Sequence, residues 1–184
     1  MSRNWLVGVL SGFALCLCIS TDLGAQRGSG SRTRVQPKRR LAPAEFQEKF
    51  WSYLTKSRSA YRHWGSFSDQ GSRVRAGKNP HGAFLKLYAN QAARSRPQEP
   101  PHQSIFVLEN YAADQRTLMA VEVMYRAKNF DPSHNDWYWI KYFPDGTVVS
   151  TSTEKGNKPI AGRFASCIAC HRRAAGNDYV FAND

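Results

Sequence analysis

Cysteines and long apolar runs are scarce in this sequence, and each scarcity excludes a class of protein. Only four cysteines occur among the 184 residues, as two close pairs, Cys16 with Cys18 and Cys167 with Cys170. Cysteines so few and so closely spaced do not form the disulfide framework of a small secreted scaffold. The longest apolar run lies at the N-terminus and is shorter than the roughly 20 residues that span a bilayer.

The N-terminus has the parts of a secretory signal peptide. Residues 1–4 carry one positive charge, residues 5–19 are apolar, and Gly24 and Ala25 are small. We therefore predict a signal peptide over residues 1–25, cleaved near Ala25, and a periplasmic or secreted protein. The alternative is an uncleaved membrane anchor, which the shortness of the apolar run disfavours. Cleavage would remove Cys16 and Cys18.

Acidic residues are also few, with 14 against 26 lysines and arginines, and the formal net charge is +12. Part of this charge is local, because residues 26–44 contain six basic side chains and no acidic one. We predict a basic disordered linker at residues 26–42. In an exported protein, a basic tail is only weak evidence for nucleic-acid binding, so we expect no nucleic-acid partner. The alternative to a solvated tail is docking to acidic proteins or anionic lipids.

One short motif carries chemistry: Cys167-Ile168-Ala169-Cys170-His171. Two thiols three positions apart can add to the two vinyl groups of a haem, and the adjacent histidine can bind the iron. A structural disulfide, a thioredoxin-like redox pair and half of a zinc site are the alternatives. Zinc needs a second Cys/His pair, and a thioredoxin-like site needs a βαβ context; neither is found. We predict one haem c, bound by both cysteines, with His171 as iron ligand.

The spacing of apolar residues predicts an α+β fold. Residues 43–63 have helical spacing, with Pro43 in the first turn and Glu45 near the positive end of the helix dipole. The pattern of the residues that follow predicts mainly an antiparallel sheet. We predict one domain over residues 43–184, with a short C-terminal helix that carries the motif. The predicted strands are residues 83–89, 104–111, 118–127, 137–143 and 147–151.

The position of the motif bears on the sixth iron ligand. The motif stands late in the sequence, no methionine follows it, and Met119 and Met124 lie in a predicted strand as expected core residues. The iron is therefore expected to keep an open sixth position, which permits ligand binding or catalysis. Four histidines in or beside predicted loops are the other candidates, with solvated side chains as the default: His63, His81, His102 and His134.

Six short stretches surround the motif in a fixed order: NPHGA (79–83), SIFVLENY (104–111), VMYR (123–126), FDP (130–132), NDWYW (135–139) and DYVF (178–181). In this order, with a late CxxCH, the sequence resembles the cytochrome P-460 and cytochrome c′-β family over nearly all of residues 43–181. The resemblance implies a mainly β-sheet protein, often dimeric, with a five-coordinate haem. We accordingly expect a homodimer.

The resemblance also implies two chemistries. The P-460 members oxidise hydroxylamine and carry a bond between a lysine and the haem, whereas the c′-β members bind nitric oxide or carbon monoxide in an apolar pocket. Leu108 stands where the lysine is expected and has no nucleophile, so no cross-link should form.

Glu122 falls near the distal carboxylate that the catalytic members use as a proton acceptor. In an apolar pocket its pKa would be raised. The alternative is a surface carboxylate, because Glu122 alternates with Val121 and Val123.

Other residues are weaker candidates for the haem pocket. Phe84, Phe106, Leu108 and Met124 lie on predicted strands, where core packing is the alternative. The aromatic residues within 137–143 could wall the haem or a dimer interface. Arg172 and Arg173 could pair with haem propionates or be solvated.

Three functions remain open at this point. The first is binding of small gaseous or nitrogen-oxide ligands such as NO and CO. The second is an oxidoreductase that acts on a small nitrogen compound or peroxide, which Glu122 would support. The third is an electron carrier that docks to a redox partner through its basic surface.

Overall fold

The structure, a computed structural model, describes residues 41–56, 58, 60–67, 73–77 and 80–183. The predicted signal peptide at 1–25 lies outside these residues, as does all but the end of the linker predicted at 26–42. No helix within the described ranges is long and apolar enough to cross a membrane. The helices are α1 (Pro43–Lys56), α2 (Gln91–Ser95) and α3 (Ala165–His171), with 3-10 turns at Tyr61–His63, Pro132–His134 and Phe181–Asn183.

The strands form one large and one small antiparallel sheet. The large sheet has the order β1-β2-β3-β4-β5-β8, and β6 pairs with β7 separately. This confirms the predicted α+β class, mainly antiparallel, with an N-terminal helix and a short C-terminal one. The strands are β1 (Arg75–Ala76), β2 (Phe84–Ala89), β3 (Ile105–Tyr111), β4 (Leu118–Arg126), β5 (Trp137–Tyr142), β6 (Ser150–Thr153), β7 (Gly156–Pro159) and β8 (Ala161–Gly162).

The first helix is shorter than the predicted span of residues 43–63. It ends at Lys56, and Ala60 has an extended backbone with ψ of 139°. This bend brings Tyr61 into the core, where its hydroxyl donates to Glu109 over 2.8 Å. A tertiary hydrogen bond therefore overrides the local helical pattern.

Helix α2 was not predicted, because its sequence lies next to a proline-rich loop. It is capped by Asn90, whose Oδ1 accepts from the backbone N–H of Ala93 over 3.0 Å. The same oxygen accepts from the N–H of Ile105 over 3.1 Å, so the cap also ties α2 to the start of β3.

The fifth predicted strand pairs as expected only over its first residues. Residues 147–151 were expected to pair with the preceding strand, and residues 147–149 do: Val148 forms a bridge to Tyr142, and the N–H of Val149 donates to the carbonyl of Lys141 over 2.9 Å. The strand at this place is β6, which pairs with β7. The reason is competition for one sheet edge, because β8 pairs with β5 and the N–H of Lys141 donates to the carbonyl of Ile160.

The large sheet is covered on both faces. Helix α1 packs Phe50 and Leu54 onto one face, against Val107 and Val121. The opposite face packs against α3 and the C-terminal segment, and Ile168 is buried there. Alternate residues of one strand therefore enter two different cores.

A charged group lies within the α1-side core. Glu109 is fully buried, and Tyr61, Tyr88, Tyr111 and Arg62 all donate hydrogen bonds to its carboxylate, over 2.6 to 3.1 Å. Burial alone would raise the pKa of Glu109, but the hydrogen bonds and the charge of Arg62 outweigh it and hold the pKa below its ordinary value. The carboxylate is thus an ionised hub that ties the turn after α1 to β2 and β3.

We expect Glu109→Gln to lower the free energy of unfolding by about 2–3 kcal/mol, because the amide group replaces an acceptor with a donor facing tyrosine hydroxyls. Urea denaturation at neutral pH measures this change. The lowered folded-state pKa means that the contribution of Glu109 is complete above the ordinary value of 4.5 and is lost as pH falls. The variant should therefore lose less stability on acidification than the wild type.

Glu99→Gln is the matched control, because Glu99 pairs with Arg96 on the surface and its side chain is 71% exposed. This substitution should leave stability nearly unchanged. Equal stability of both variants would contradict the role assigned to Glu109.

Candidate functional site

A cavity of about 370 Å³ lies on the sheet face opposite α1, between the strands and the C-terminal segment. Its wall is mostly apolar, with Arg75, His81, Glu122 and Lys141 as the charged or titratable side chains outside the CxxCH motif. Its apolar lining includes Leu85, Leu87, Phe106, Leu108, Met124, Trp139, Phe164 and Phe181.

Helix α3 brings the CxxCH motif to this cavity. Cys167 and Cys170 are both free thiols that line it, so they form no disulfide with each other. Their spacing of three residues places them on one face of the helix. Burial raises the pKa of Cys167 to about 11, so this thiol is protonated at neutral pH.

His171, the last residue of α3, has one nitrogen committed and one free. Its Nδ1–H donates to the backbone carbonyl of Tyr179 over 2.8 Å, which leaves the lone pair on Nε2. Burial lowers the pKa of His171, so the imidazole is neutral. The ring packs against Trp139 and Phe181, with centroids 4.7 and 5.3 Å away. A neutral, oriented imidazole of this kind is what metal ligation requires.

The carbonyl that orients this imidazole sits in a strained segment. Tyr179 has φ of 71°, in the left-handed region that favours glycine. Two side chains hold the segment: Trp137 Nε1–H donates to the carbonyl of Asp178, and Asn135 Nδ2–H donates to that of Asn177, each over 2.7 Å. Strain kept in place by surrounding contacts is typical of functional sites.

These features fit a haem c. The two thiols match the two vinyl groups, the free Nε2 matches the iron, and the apolar wall matches the macrocycle. Within the described ranges, no group of three or more His, Cys, Asp or Glu side chains is arranged to hold a metal ion. The donor set therefore suits a haem rather than a bare ion.

The predicted pocket residues divide according to strand face. Phe106, Leu108 and Met124 line the cavity, but Phe84 does not. Leu85 is the cavity-facing residue at that end of β2, and Phe84 alternates with it on the other face. Placing Phe84 in the pocket was an error of one residue in the assignment of faces.

The other candidates were the two arginines after the motif and the aromatic residues of β5, and only some of them lie at the cavity. Arg172 and Arg173 are exposed, and Arg173 Nη2–H donates to the sulfur of Cys170 over 3.3 Å. Trp139 lines the cavity, whereas Tyr138 packs on the α1 side of the sheet.

Glu122 lies in the cavity wall. It points away from Val121 and Val123, as alternation predicts, but that face is covered rather than solvated. Its Oε1 lies 2.7 Å from Nζ of Lys141, and its Oε2 contacts Nδ1 of His81. Burial would raise the pKa of Glu122, but these two partners outweigh it and lower the pKa. The expectation of a raised pKa is therefore wrong.

Among the titratable side chains of the cavity wall, Arg75 and Lys141 were missed as site residues, whereas His81 was one of the four histidines considered as a sixth ligand. Lys141 is a single cation in an otherwise apolar strand and lies opposite Glu122 in the register, so correct strand pairing could have found it. The other histidines do not line the cavity: His102 pairs with Asp136, His134 pairs with Asp131, and His63 is exposed.

A comparison of the sequence with known families supports the assignment of this cavity to a haem. The family model described as Cytochrome P460 matches residues 58–182. No curated protein matches the chain. Since the matched region covers more than half of the sequence, the chain belongs to the cytochrome P460 family, and a c-type haem protein follows from that membership.

We expect Trp137→Phe to disturb the imidazole of His171 from a distance. The substitution removes the donor to the carbonyl of Asp178, which should loosen the segment that orients His171. In the haem-loaded ferrous protein, the iron–histidine stretching band should broaden and move to lower frequency, as measured by resonance Raman spectroscopy. Stability should fall by about 1–3 kcal/mol.

Trp51→Phe is the matched control, because Trp51 packs on Tyr142, on the α1 side of the sheet. This variant should leave the band in place. An unchanged band in Trp137→Phe would show that the segment around Tyr179 holds its position without the indole.

Proposed function

We propose that this protein is an exported c-type cytochrome with a five-coordinate haem that binds small gaseous ligands, NO or CO, at an open distal site. The observation that carries the proposal is the position of Leu108. Its side chain lines the same cavity as Cys167 and His171, where the cross-linking lysine of the hydroxylamine-oxidising members is expected. Most of the cavity wall is apolar, although Glu122 lies opposite Leu108, and a mostly apolar distal pocket favours uncharged diatomic ligands.

Covalent attachment through Cys167 and Cys170, with one haem per chain, is part of the same proposal. It is supported by two free thiols on one face of α3 and by the free Nε2 of His171. Export to the periplasm is supported by the signal-peptide pattern of residues 1–25. The proposal also includes a homodimer, which size-exclusion chromatography would test. It includes a redox partner protein as well, which reduction kinetics would test.

The test is a spectrum of protein matured in a host that attaches haem c. Acid-acetone should fail to extract the haem, and the ferrous form should be high-spin and bind CO and NO on titration. The double variant Cys167→Ala, Cys170→Ala should retain no haem after extraction, whereas Ile168→Val, inside the same motif, should retain it. A low-spin ferrous spectrum that CO leaves unchanged would favour the electron carrier.

A second candidate is an oxidoreductase that acts on hydroxylamine or a similar small nitrogen compound. It is favoured by Glu122, a carboxylate in the cavity wall. Against it, both carboxylate oxygens are already paired, and their partners hold the pKa of Glu122 below its ordinary value. A carboxylate held as an anion in this way accepts a proton poorly at neutral pH.

We expect the wild type to show no turnover with hydroxylamine and an electron acceptor, because Leu108 has no group that can bond to the haem. Leu108→Lys should acquire a shifted haem absorption band if the alignment is correct, and Leu108→Met is the apolar control. Turnover by the wild type that Glu122→Gln abolishes would instead establish the oxidoreductase.

A further inference from the structure

Positive charge collects on the surface around the CxxCH motif. Residues 155–177, which include the motif, contain five basic side chains and no acidic one. Asp178, the next acidic residue, is buried. We call the surface formed by residues 155–177 the motif face. Its five basic side chains are all exposed: Lys155, Lys158, Arg163, Arg172 and Arg173.

Two contacts place these cations beside the cavity. Nζ of Lys158, on β7, lies over the ring of Phe164, 5.8 Å from its centroid. Nη2–H of Arg173, just after α3, donates to Sγ of Cys170 over 3.3 Å. Both Phe164 and Cys170 line the cavity. Cations from two separate elements therefore border the place that would hold the haem.

Most of this charge is not neutralised by a neighbouring carboxylate. Arg163 is the exception, because its Nε lies 3.5 Å from Oδ1 of Asp131. The other four cations form no ion pair with any residue that the structure describes. Unpaired charges of one sign on one face produce a positive potential that extends into the solvent and attracts acidic molecules.

The middle of the motif face is small and partly apolar. Ser166 and Phe181 line the cavity and are also exposed, Phe181 by 44%. Ala165 and Ala169 are exposed on α3. Small side chains allow another protein to come close to the cavity. An apolar centre with charges around it suits a small, transient interface in which charge governs the rate of association.

We propose that the motif face docks an acidic redox protein, which passes one electron to the haem. The ferric iron becomes ferrous, the donor is oxidised by one electron, and no bond forms or breaks. This inference rests on the proposed function, because CO binds ferrous haem and a ferric haem must first be reduced. It names the chemistry of the donor and the surface that the donor meets.

An acidic protein fits this surface better than an anionic membrane does. The cations adjoin Cys170 and Phe164, so they guide a partner to the cavity itself. That position matters for electron transfer, which needs a short distance between donor and haem, whereas a lipid surface would gain nothing from it. The experiment therefore includes vesicles as a separate arm.

The experiment measures reduction of the haem-loaded ferric protein by rapid mixing without oxygen, over a series of NaCl concentrations. Reduced flavodoxin is the acidic donor; its anionic hydroquinone loses one electron and becomes the neutral semiquinone. Hexaammineruthenium(II), a small cation, is the second donor. A change in the potential of the haem would affect both donors alike, whereas charge on the motif face affects them in opposite directions.

The double variant Arg172→Glu, Arg173→Glu should slow reduction by flavodoxin about ten- to hundredfold at low ionic strength, within the range of electrostatic steering. At an ionic strength of about 0.5 M, where charges are screened within a few ångströms, the difference should nearly vanish. Reduction by the ruthenium complex should not slow. Lys155→Glu, Lys158→Glu lies outside the motif and should also slow flavodoxin, even where the arginine variant attaches haem poorly.

Lys56→Glu, Arg58→Glu is the matched control, because it makes the same change in net charge. Both residues are exposed at or just after the end of α1, which covers the opposite face of the sheet. Reduction of this variant by flavodoxin should stay within about twofold of the wild type, since more distant exposed charges are largely screened.

Equal slowing by the control and by the motif-face variants would overturn the inference, because net charge alone would then be responsible. Equal slowing of both donors in the arginine variant would also overturn it and would indicate that the arginines act on the haem potential. Binding to phosphatidylglycerol vesicles that the arginine variant loses, with unchanged reduction by flavodoxin, would assign the surface to a membrane instead. Failure of the wild type to attach haem or bind CO would refute the proposed function and, with it, the inference.

Discussion

The hydrogen bond from Nδ1 of His171 to the carbonyl of Tyr179 is the contact on which the chemistry of the site depends. It gives a histidine at the end of a short helix a fixed orientation and leaves its other nitrogen free, which is the arrangement that metal ligation requires. The carbonyl is available because Tyr179 is held in a left-handed conformation. Trp137, the first residue of β5, anchors the preceding residue, Asp178. The sheet therefore acts on His171 through backbone geometry as well as through the cavity wall.

The middle of β3 shows how one strand serves both faces of the sheet. Val107 packs in the core beneath α1, Leu108 lines the cavity, and Glu109 returns to the α1 side as a buried anion. Because side chains alternate, three consecutive residues contribute to packing, ligand environment and charge without competing for space. The ionised hub of Glu109 ties β3 to β2 and to the turn after α1, and this support holds Leu108 in place.

Much of the fold, including the short C-terminal helix that carries the CxxCH motif, could be predicted from sequence, because those signals are local. The CxxCH motif, the boundaries of four strands and the start of α1 each depend on residues adjacent in the chain. The predictions that failed depend on residues that are distant in the chain. Alternation correctly separated Glu122 from Val121, but it could not tell that the second face was covered, because α3 comes more than 40 residues later. The lowered pKa of Glu122 needs Lys141 and His81, which only strand pairing and loop placement bring to it. Phe84 was misplaced by one residue, enough to exchange the faces of a strand.

The register also explains why an apolar residue at position 108 matters to its neighbours. Leu108 lies directly opposite Glu122 on β4, and Lys141 lies opposite Glu122 on the other side. A cation at position 108 would face the same carboxylate and compete with Lys141 and His81 for its two oxygens, since opposed side chains on paired strands are in contact. Leu108 leaves Glu122 to those two partners. An apolar side chain at position 108 thus preserves the polar pairing of Glu122 in the cavity wall.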